Sequence, residues 1–468
     1  MDPNSSNKIQ KNYEGDVKNE GTRSFLCDLH DDLLQKIITY ISIKEAVATS
    51  TLSKRWENQW IGNYKFNMEL IQGLFLNRQH FIDFVEKLYK HCKDDNPRIV
   101  SLSFEVGNDF RRVNKWLSAF INPMIKELNL ELDRIKKPLV LPNHFFTSRK
   151  LTKFRLSMKQ VIKIPSNINF QKLVILTLKN VTILPNNQST QKFFICFPSL
   201  KELTFIECNW KKVGSLTIIC EELQKLYIRE WEFEAEEEEE EDDDDDDEEE
   251  EEDEEEDVEE QNEEINFEHG EIGFHAPKLL TFAYIGDLIN DYLLFSTTSI
   301  TDASIEVHEN NNSTLHAGNF VSKIFNTLIR VEKLSITDFA LEQMAYGIFL
   351  DKNDENEINP IPACFETHLK IIKIHGFVGA EDQLNAIKFL LKTTQVLETL
   401  YIHASDYYFE SHEGRRELEK MYLRILKFPK ALFASLEGRG GKGFGGRKIK
   451  RKLEKSFTFF EKVFFYRK

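Results

Sequence analysis

The sequence contains no closely spaced pair of cysteines. Its six, Cys27, Cys92, Cys196, Cys208, Cys220 and Cys364, are scattered over 468 residues. That spacing excludes a clustered zinc site or a Cys-x-x-Cys redox site and fits a reducing compartment. No uncharged apolar run reaches the roughly 18 residues a bilayer span requires, and the first 24 residues hold no hydrophobic signal core. A soluble, intracellular protein with no membrane partner is expected, and the Asn-x-Ser/Thr matches at Asn187, Asn311 and Asn312 then carry no glycosylation meaning. Also missing are a His-Glu-x-x-His helix, a Gly-x-x-x-x-Gly-Lys-Ser/Thr loop and a Gly-x-Ser-x-Gly elbow. The glycines of Gly438–Gly446 lie in a basic segment with no hydrophobic strand before them, and the twelve histidines are dispersed singly. No catalytic, cofactor-binding or metal-binding residue is nominated, and the chain is expected to be no enzyme.

What is present is charge of both signs, unevenly placed. The formal charge is -17, with 61 Lys/Arg against 78 Asp/Glu, yet 28 of the acids fall within residues 232–264, which hold no Lys or Arg. Without that run the charge is +11, and residues 437–468 carry 11 Lys/Arg against 3 acids. The chain therefore combines a nearly neutral body, one anionic run and one cationic end. Arg447, Lys448, Lys450, Arg451 and Lys452 form the kind of basic cluster that serves nuclear import. Direct binding of nucleic acid is not expected, because no reading helix or interleaved aromatics accompany it.

Residues 1–23 are polar and expected to be a disordered lead-in. From Ser24 the apolar spacing changes to that of one helical face, through Leu29, Leu33, Leu34, Ile37, Ile38 and Ile41. Ser42 and Glu45 make a capping box that starts a second helix near Ile43, and Leu52, Trp56 and Trp60 form a third helical stripe. Three short helices make a unit too small for a core of its own. Beyond residue 98 an apolar-x-x-apolar-x-apolar unit recurs, at Ile125/Leu128/Leu130, Leu151/Phe154/Leu156, Leu173/Leu176/Leu178, Leu200/Leu203/Phe205 and Leu223/Leu226/Ile228. The next copy, Leu279/Phe282/Tyr284, lies 56 residues on, or 23 once the 33-residue acidic run is removed, so that run reads as an insertion inside one repeat. Copies continue at Ile300/Ala303/Ile305, Val331/Leu334/Ile336, Leu369/Ile372/Ile374 and Leu397/Leu400/Ile402. A period in the twenties with this core predicts leucine-rich repeats, an α/β solenoid with parallel strands on its concave face.

The segment from Leu26 to Trp60 resembles an F-box: Leu29-His30, the Leu/Ile-rich Asp32–Ile41, Lys44-Glu45-Ala46 and Leu52-Ser53-Lys54-Arg55-Trp56 follow that family's pattern. His30 stands where the family usually has proline. The remainder resembles plant F-box proteins with leucine-rich repeats and a C-terminal FBD domain. Arg112–Trp116, Ile125–Leu130, Phe197–Lys201 and Ala276–Leu279 follow their repeats, and Leu369–Gly376, Phe389–Leu391, Val396–Glu398 and Leu426–Pro429 follow their FBD domain.

The resemblance implies an F-box over 24–62, leucine-rich repeats over 63–362 interrupted by the disordered acidic insertion 232–264, an FBD domain over 363–431 that continues the solenoid, and a disordered basic tail over 432–468. The family's usual closing strand is expected to be missing. It also implies a non-catalytic substrate-recognition subunit of an SCF-type ubiquitin ligase, nuclear or cytoplasmic, without cofactor. Leu29, Leu33, Leu34, Ile37, Ile41, Val47, Leu52 and Trp56 would dock a Skp1-type adaptor, and through it a cullin-RING ligase, while the repeats grip an unknown protein substrate. The alternative is a non-ligase scaffold whose acidic tract binds basic proteins. Concave positions of the repeats include Lys153, Arg155, Lys179, Glu202, Thr204, Tyr227 and Arg229, with no single one marked as a substrate contact.

Overall fold

The computed structural model describes residues 29–437 except 39, 42, 50, 57–58, 60–66, 92–96, 165–167, 186–191, 211–212, 231–269, 309–320, 322, 350–361, 406 and 429–433. The acidic run and the basic cluster at 447–452 lie outside the described residues.

Two helices open the described chain, α1 (Asp31–Ile38) and α2 (Ile43–Thr49). Asp31 and Asp32 in the first turn of α1 and Lys36 in its last suit the helix dipole. The third expected helix differs: residues 51–56 form hydrogen-bonded turns, Thr51 N–H to Ala48 O and Trp56 N–H to Ser53 O, and the end of that stretch falls outside the described residues.

The strands then run β1 (Asn67–Ile71), β2 (Ile99–Gly107), β3 (Glu127–Ile135), β4 (Lys153–Ile164), β5 (Ile175–Pro185), β6 (Lys192–Cys196), β7 (Glu202–Ile206), β8 (Ser215–Ile219), β9 (Lys225–Arg229), β10 (Glu271–His275), β11 (Thr281–Gly286), β12 (Asp291–Phe295), β13 (Asp302–Val307), β14 (Lys333–Thr337), β15 (Ile371–Phe377), β16 (Thr399–Ala404) and β17 (Ala434–Glu437). Among the described residues, thirteen of these form one all-parallel sheet in the order β1-β2-β3-β4-β5-β7-β9-β11-β13-β14-β15-β16-β17, and β12-β10-β8-β6 form a second parallel sheet. Each apolar triad of the repeat places one residue just before a long-sheet strand and two inside it, and every member is buried. Alternate residues on the same strands stay accessible, as in the buried-alternating pattern of β2, β7, β9 and β14. A parallel sheet normally needs both faces covered. Here one face is covered and the other is the concave surface of a solenoid.

The covering layer changes along the chain. At the start it is α3 (Arg78–His91) and α4 (Phe110–Phe120), whose Phe81 and Trp116 both pack on Phe104 of β2, at centroid distances of 5.2 and 6.0 Å. In the middle it is the second sheet: Phe205 of β7 meets Phe274 of β10 at 6.2 Å, and Tyr284 of β11 meets Tyr292 of β12 at 6.0 Å. Toward the end helices return, α5 (Asp338–Phe349), α6 (Ala363–Thr367), α7 (Glu381–Thr393), α8 (Tyr407–Glu410) and α9 (His412–Ile425). The second sheet was not expected from the sequence, and the triads counted from Ile125 miss β1 and β2.

The acidic insertion does not interrupt the ladder. β8 pairs with β10 (Ser215↔Glu271) and β9 with β11 (Lys225↔Thr281), so strands before and after it are direct neighbours in both sheets. At its neck, Glu230 is buried and accepts from Tyr284 Oη (2.7 Å), Tyr292 Oη (2.7 Å), Asn290 Nδ2 (2.6 Å) and Ile289 N–H (3.2 Å). Burial raises its pKa, and these donors pull it back. Asn290 Oδ1 accepts from Gly270 N–H at 3.1 Å, so the same side chain holds both ends of the insertion.

The closing strand is present, which corrects the expectation that the FBD region lacks it. Ala434–Glu437, expected to belong to the tail, form β17 on β16, with Leu400↔Ala434 and Ile402↔Leu436. The Gly- and Lys-rich stretch begins only at Gly438, after Leu436, which stands in register with Ile402.

Candidate functional site

The eight expected docking residues divide by burial. Leu33 and Leu52 are 49% and 57% exposed and Ile37 is accessible, whereas Leu34 is fully buried and Trp56 is 2% exposed. Leu29 and Ile41 are half-buried against the core, and the side chain of Val47 lies outside the described residues. Leu34 and Trp56 are thus buried within the chain, Leu34 because adjacent positions on a helix lie about 100° apart and it points to a different side from Leu33. Leu34, Ile38, Ala46 and Trp56 form the inner face.

Leu33 and Ile37 stand one turn apart on α1, and Tyr40, 79% exposed, follows three positions later. Tyr40, which the sequence reading did not single out, lies just past the end of α1. Arg55 fixes the unit from the other end: its Nε and Nη2 donate to Asp31 Oδ1 at 2.9 and 2.7 Å, and its Nη2 also donates to the Leu29 carbonyl. This ties the Ser53–Trp56 turn to the start of α1. His30, in place of the usual proline, is exposed with Nδ1 3.3 Å from Asp32. Without a proline there, α1 still begins at Asp31, with Leu33 and Leu34 N–H both donating to the His30 carbonyl.

The concave face is the second surface. Its first row is largely self-neutralised: Lys153 pairs with Glu127 at 3.0 Å, Lys225 with Glu202 at 2.7 Å and Lys333 with Asp302 at 3.1 Å. Arg229 pairs with Glu207 at 2.7 Å. Arg155, Lys179, Thr204 and Tyr227 lie on the strands' accessible side as expected. Toward the end, the rings of His375 and His403 stack at 4.7 Å, and His375 Nε2 lies 2.9 Å from Ser335 Oγ. Burial, with His403 and Lys373 nearby, brings His375 down to about 4.

Among the described residues no group of three or more His, Cys, Asp or Glu could hold a metal, and no helix is long and apolar enough to cross a membrane. Cys208, Cys220 and Cys364 are buried free thiols, pushed up to about 12 by burial. Those thiols lack the low pKa of a reactive cysteine.

The described chain is a small helical unit with an apolar exposed side followed by a parallel-stranded solenoid of the leucine-rich-repeat kind. Family comparison agrees: the F-box domain matches residues 26–66, the leucine-rich repeats described for the FBD-associated F-box protein At5g56370 match 113–245, and FBD matches 357–402. In its three matched domains and their order the chain is similar to plant F-box proteins with leucine-rich repeats and an FBD domain, and it matches the F-box/FBD/LRR-repeat family. Relatives from Arabidopsis thaliana include the putative F-box/LRR-repeat protein At4g15060, 25% identical over 47% of this chain and 53% of its own. The FBD-associated F-box protein At4g10400 is 29% identical over 42% of this chain and 49% of its own, and F-box/LRR-repeat protein At5g38396 is 22% identical over 81% and 77%. The chain spans about half the length of the first curated relatives it matches.

Proposed function

We propose that this protein is a non-catalytic substrate receptor of an SCF-type ubiquitin ligase. The F-box, assigned to 24–62, docks a Skp1-type adaptor, and the repeats and FBD region, assigned to 63–362 and 363–431, hold a protein substrate. The observation that carries the reading is the exposed stripe Leu33–Ile37–Tyr40 with Leu52, left over after the inner face of the same helices is buried. Large apolar side chains exposed on a small unit mark an interaction surface, and a helix offering apolar residues at i and i+4, followed by an exposed aromatic just past its end, suits docking against an apolar groove. Co-expression with a Skp1-type adaptor tests it. The full chain should co-purify with the adaptor in a stable complex, and absence of any complex would remove the ligase role and favour a free-standing scaffold.

A further inference from the structure

Charge is unevenly spread along the solenoid. Residues 134–201 hold 13 Lys/Arg and no Asp or Glu, and part of that excess is collected at one edge. Where the long-sheet strands begin, the residue before each strand is tied to the same position of its neighbour. Lys126 N–H donates to Arg98 O at 2.6 Å, Thr152 to Lys126 at 2.7 Å, Val174 to Thr152 at 2.8 Å and Lys201 to Val174 at 2.9 Å. These bonds set Arg98, Lys126, Thr152, Val174 and Lys201 in one row. Lys150 and Lys172 stand two residues ahead of Thr152 and Val174, on the turns before β4 and β5.

Five successive strands, β2, β3, β4, β5 and β7, therefore each bring one cation to the same rim. All five side chains are exposed, and among the described residues none has a carboxylate at ion-pairing distance. The nearest polar contact of Lys150 Nζ is Met124 Sδ at 3.2 Å. Farther along the solenoid the corresponding charges cancel, with Lys278 paired to Glu222 and Lys370 to Glu332 at 3.1 Å. The concave face beside the stripe is neutralised in the same way. The five cations thus form a local run of like charge without internal compensation.

Neighbouring strands lie about 4.8 Å apart, so the four gaps span roughly 19 Å, which an extended polypeptide covers in about six residues at ~3.3 Å each. We infer that this rim docks an extended acidic segment, about six residues long, of a partner protein. Single-stranded nucleic acid would need aromatic platforms for its bases, and the flanking turn residues Pro123, Met124, Arg149, Gln171 and Ser199 offer none. The rim is separate from the F-box stripe and does not depend on adaptor binding.

Fluorescence anisotropy of the full chain with fluorescein-labelled oligoglutamates of four, six, eight and twelve residues tests this. Affinity should rise up to about six residues, then level off, and fall steeply with salt. Combining Lys126→Glu, Lys172→Glu and Lys201→Glu should weaken octaglutamate binding tenfold or more. Lys388→Glu, Lys392→Glu and Lys420→Glu together, an equal change of net charge elsewhere, should stay within twofold of the parent. The Gln triple at 126, 172 and 201 guards against misfolding by the reversals and should give an intermediate loss. Adaptor capture by each triple should match the parent, which separates failure of the rim from failure of the ligase reading. Equal weakening by both Glu triples would overturn the inference, as would tighter binding of a twelve-nucleotide oligothymidylate than of octaglutamate. So would binding that emerges only when residues 232–264 are replaced by a neutral sequence, since the chain's own acidic run would then be the occupant.

Discussion

Glu230 and Asn290 are sixty positions apart in sequence and 2.6 Å apart in space, and their hydrogen bond closes the neck of the acidic insertion. Asn290 also accepts from the Gly270 N–H, at the first described residue after the insertion. Replacing it with alanine leaves the Gly270 N–H without its acceptor and takes one donor from a buried carboxylate. Asn290→Ala should therefore cost about 2–3 kcal/mol, read by urea denaturation, and a change under about 0.5 kcal/mol would show that the neck is held by other contacts.

The same carboxylate sets a pH dependence. Its pKa in the fold is raised above the ordinary 4.5, chiefly by burial, so across the window from that value up to the folded pKa the native state binds more protons than the unfolded chain. Stability from this group is fully present below the unfolded pKa and is lost as pH rises through the folded one. The stability of the parent relative to Glu230→Gln should accordingly increase as pH is lowered from about 7 toward about 5. Paired urea melts at both pH values check this, and a difference that does not vary with pH would contradict the assignment.

Burial separates two kinds of F-box variant. Leu33→Asp with Ile37→Asp should abolish adaptor capture while the melting temperature stays within a degree or two, because both side chains already face solvent. Leu34→Ala should instead destabilise the helical unit by about 2–5 kcal/mol and Trp56→Ala by about 3–5 kcal/mol, as cavity-forming changes do. Thermal melts and pull-downs on the same four samples distinguish the classes, and a stable Leu34→Ala chain would show that its side chain is not a support.

Because β9 and β11 are already hydrogen-bonded neighbours, the acidic run is not needed to bring them together. Deleting residues 234–264 and joining the ends with a short Gly/Ser linker should leave the melting temperature close to the parent, since a longer loop changes closure entropy only slowly. A large fall in calorimetry would mean that the acids hold part of the solenoid.

The sequence by itself determined the long sheet from Ile125 onward. An apolar triad at fixed spacing has one way to bury all three members when copies stack, and that holds for weak copies such as Ile300/Ala303/Ile305 as well. It also determined that residues 232–264 lie between adjacent strands, since the repeat period resumes after them. Only the tertiary structure decided which of Leu33 and Leu34 faces inward, because both fit an apolar helical stripe and the choice depends on what packs behind α1. The second sheet was likewise invisible, as its strands are five residues long and become strands through the ladder of Phe193, Leu216, Ile272 and Tyr292 across four segments. Nothing in the sequence marks Glu230, two residues before the acidic run, as a buried carboxylate. Its burial exists only because Tyr284, Ile289, Asn290 and Tyr292, far along the chain, supply the donors that a carboxylate away from water requires.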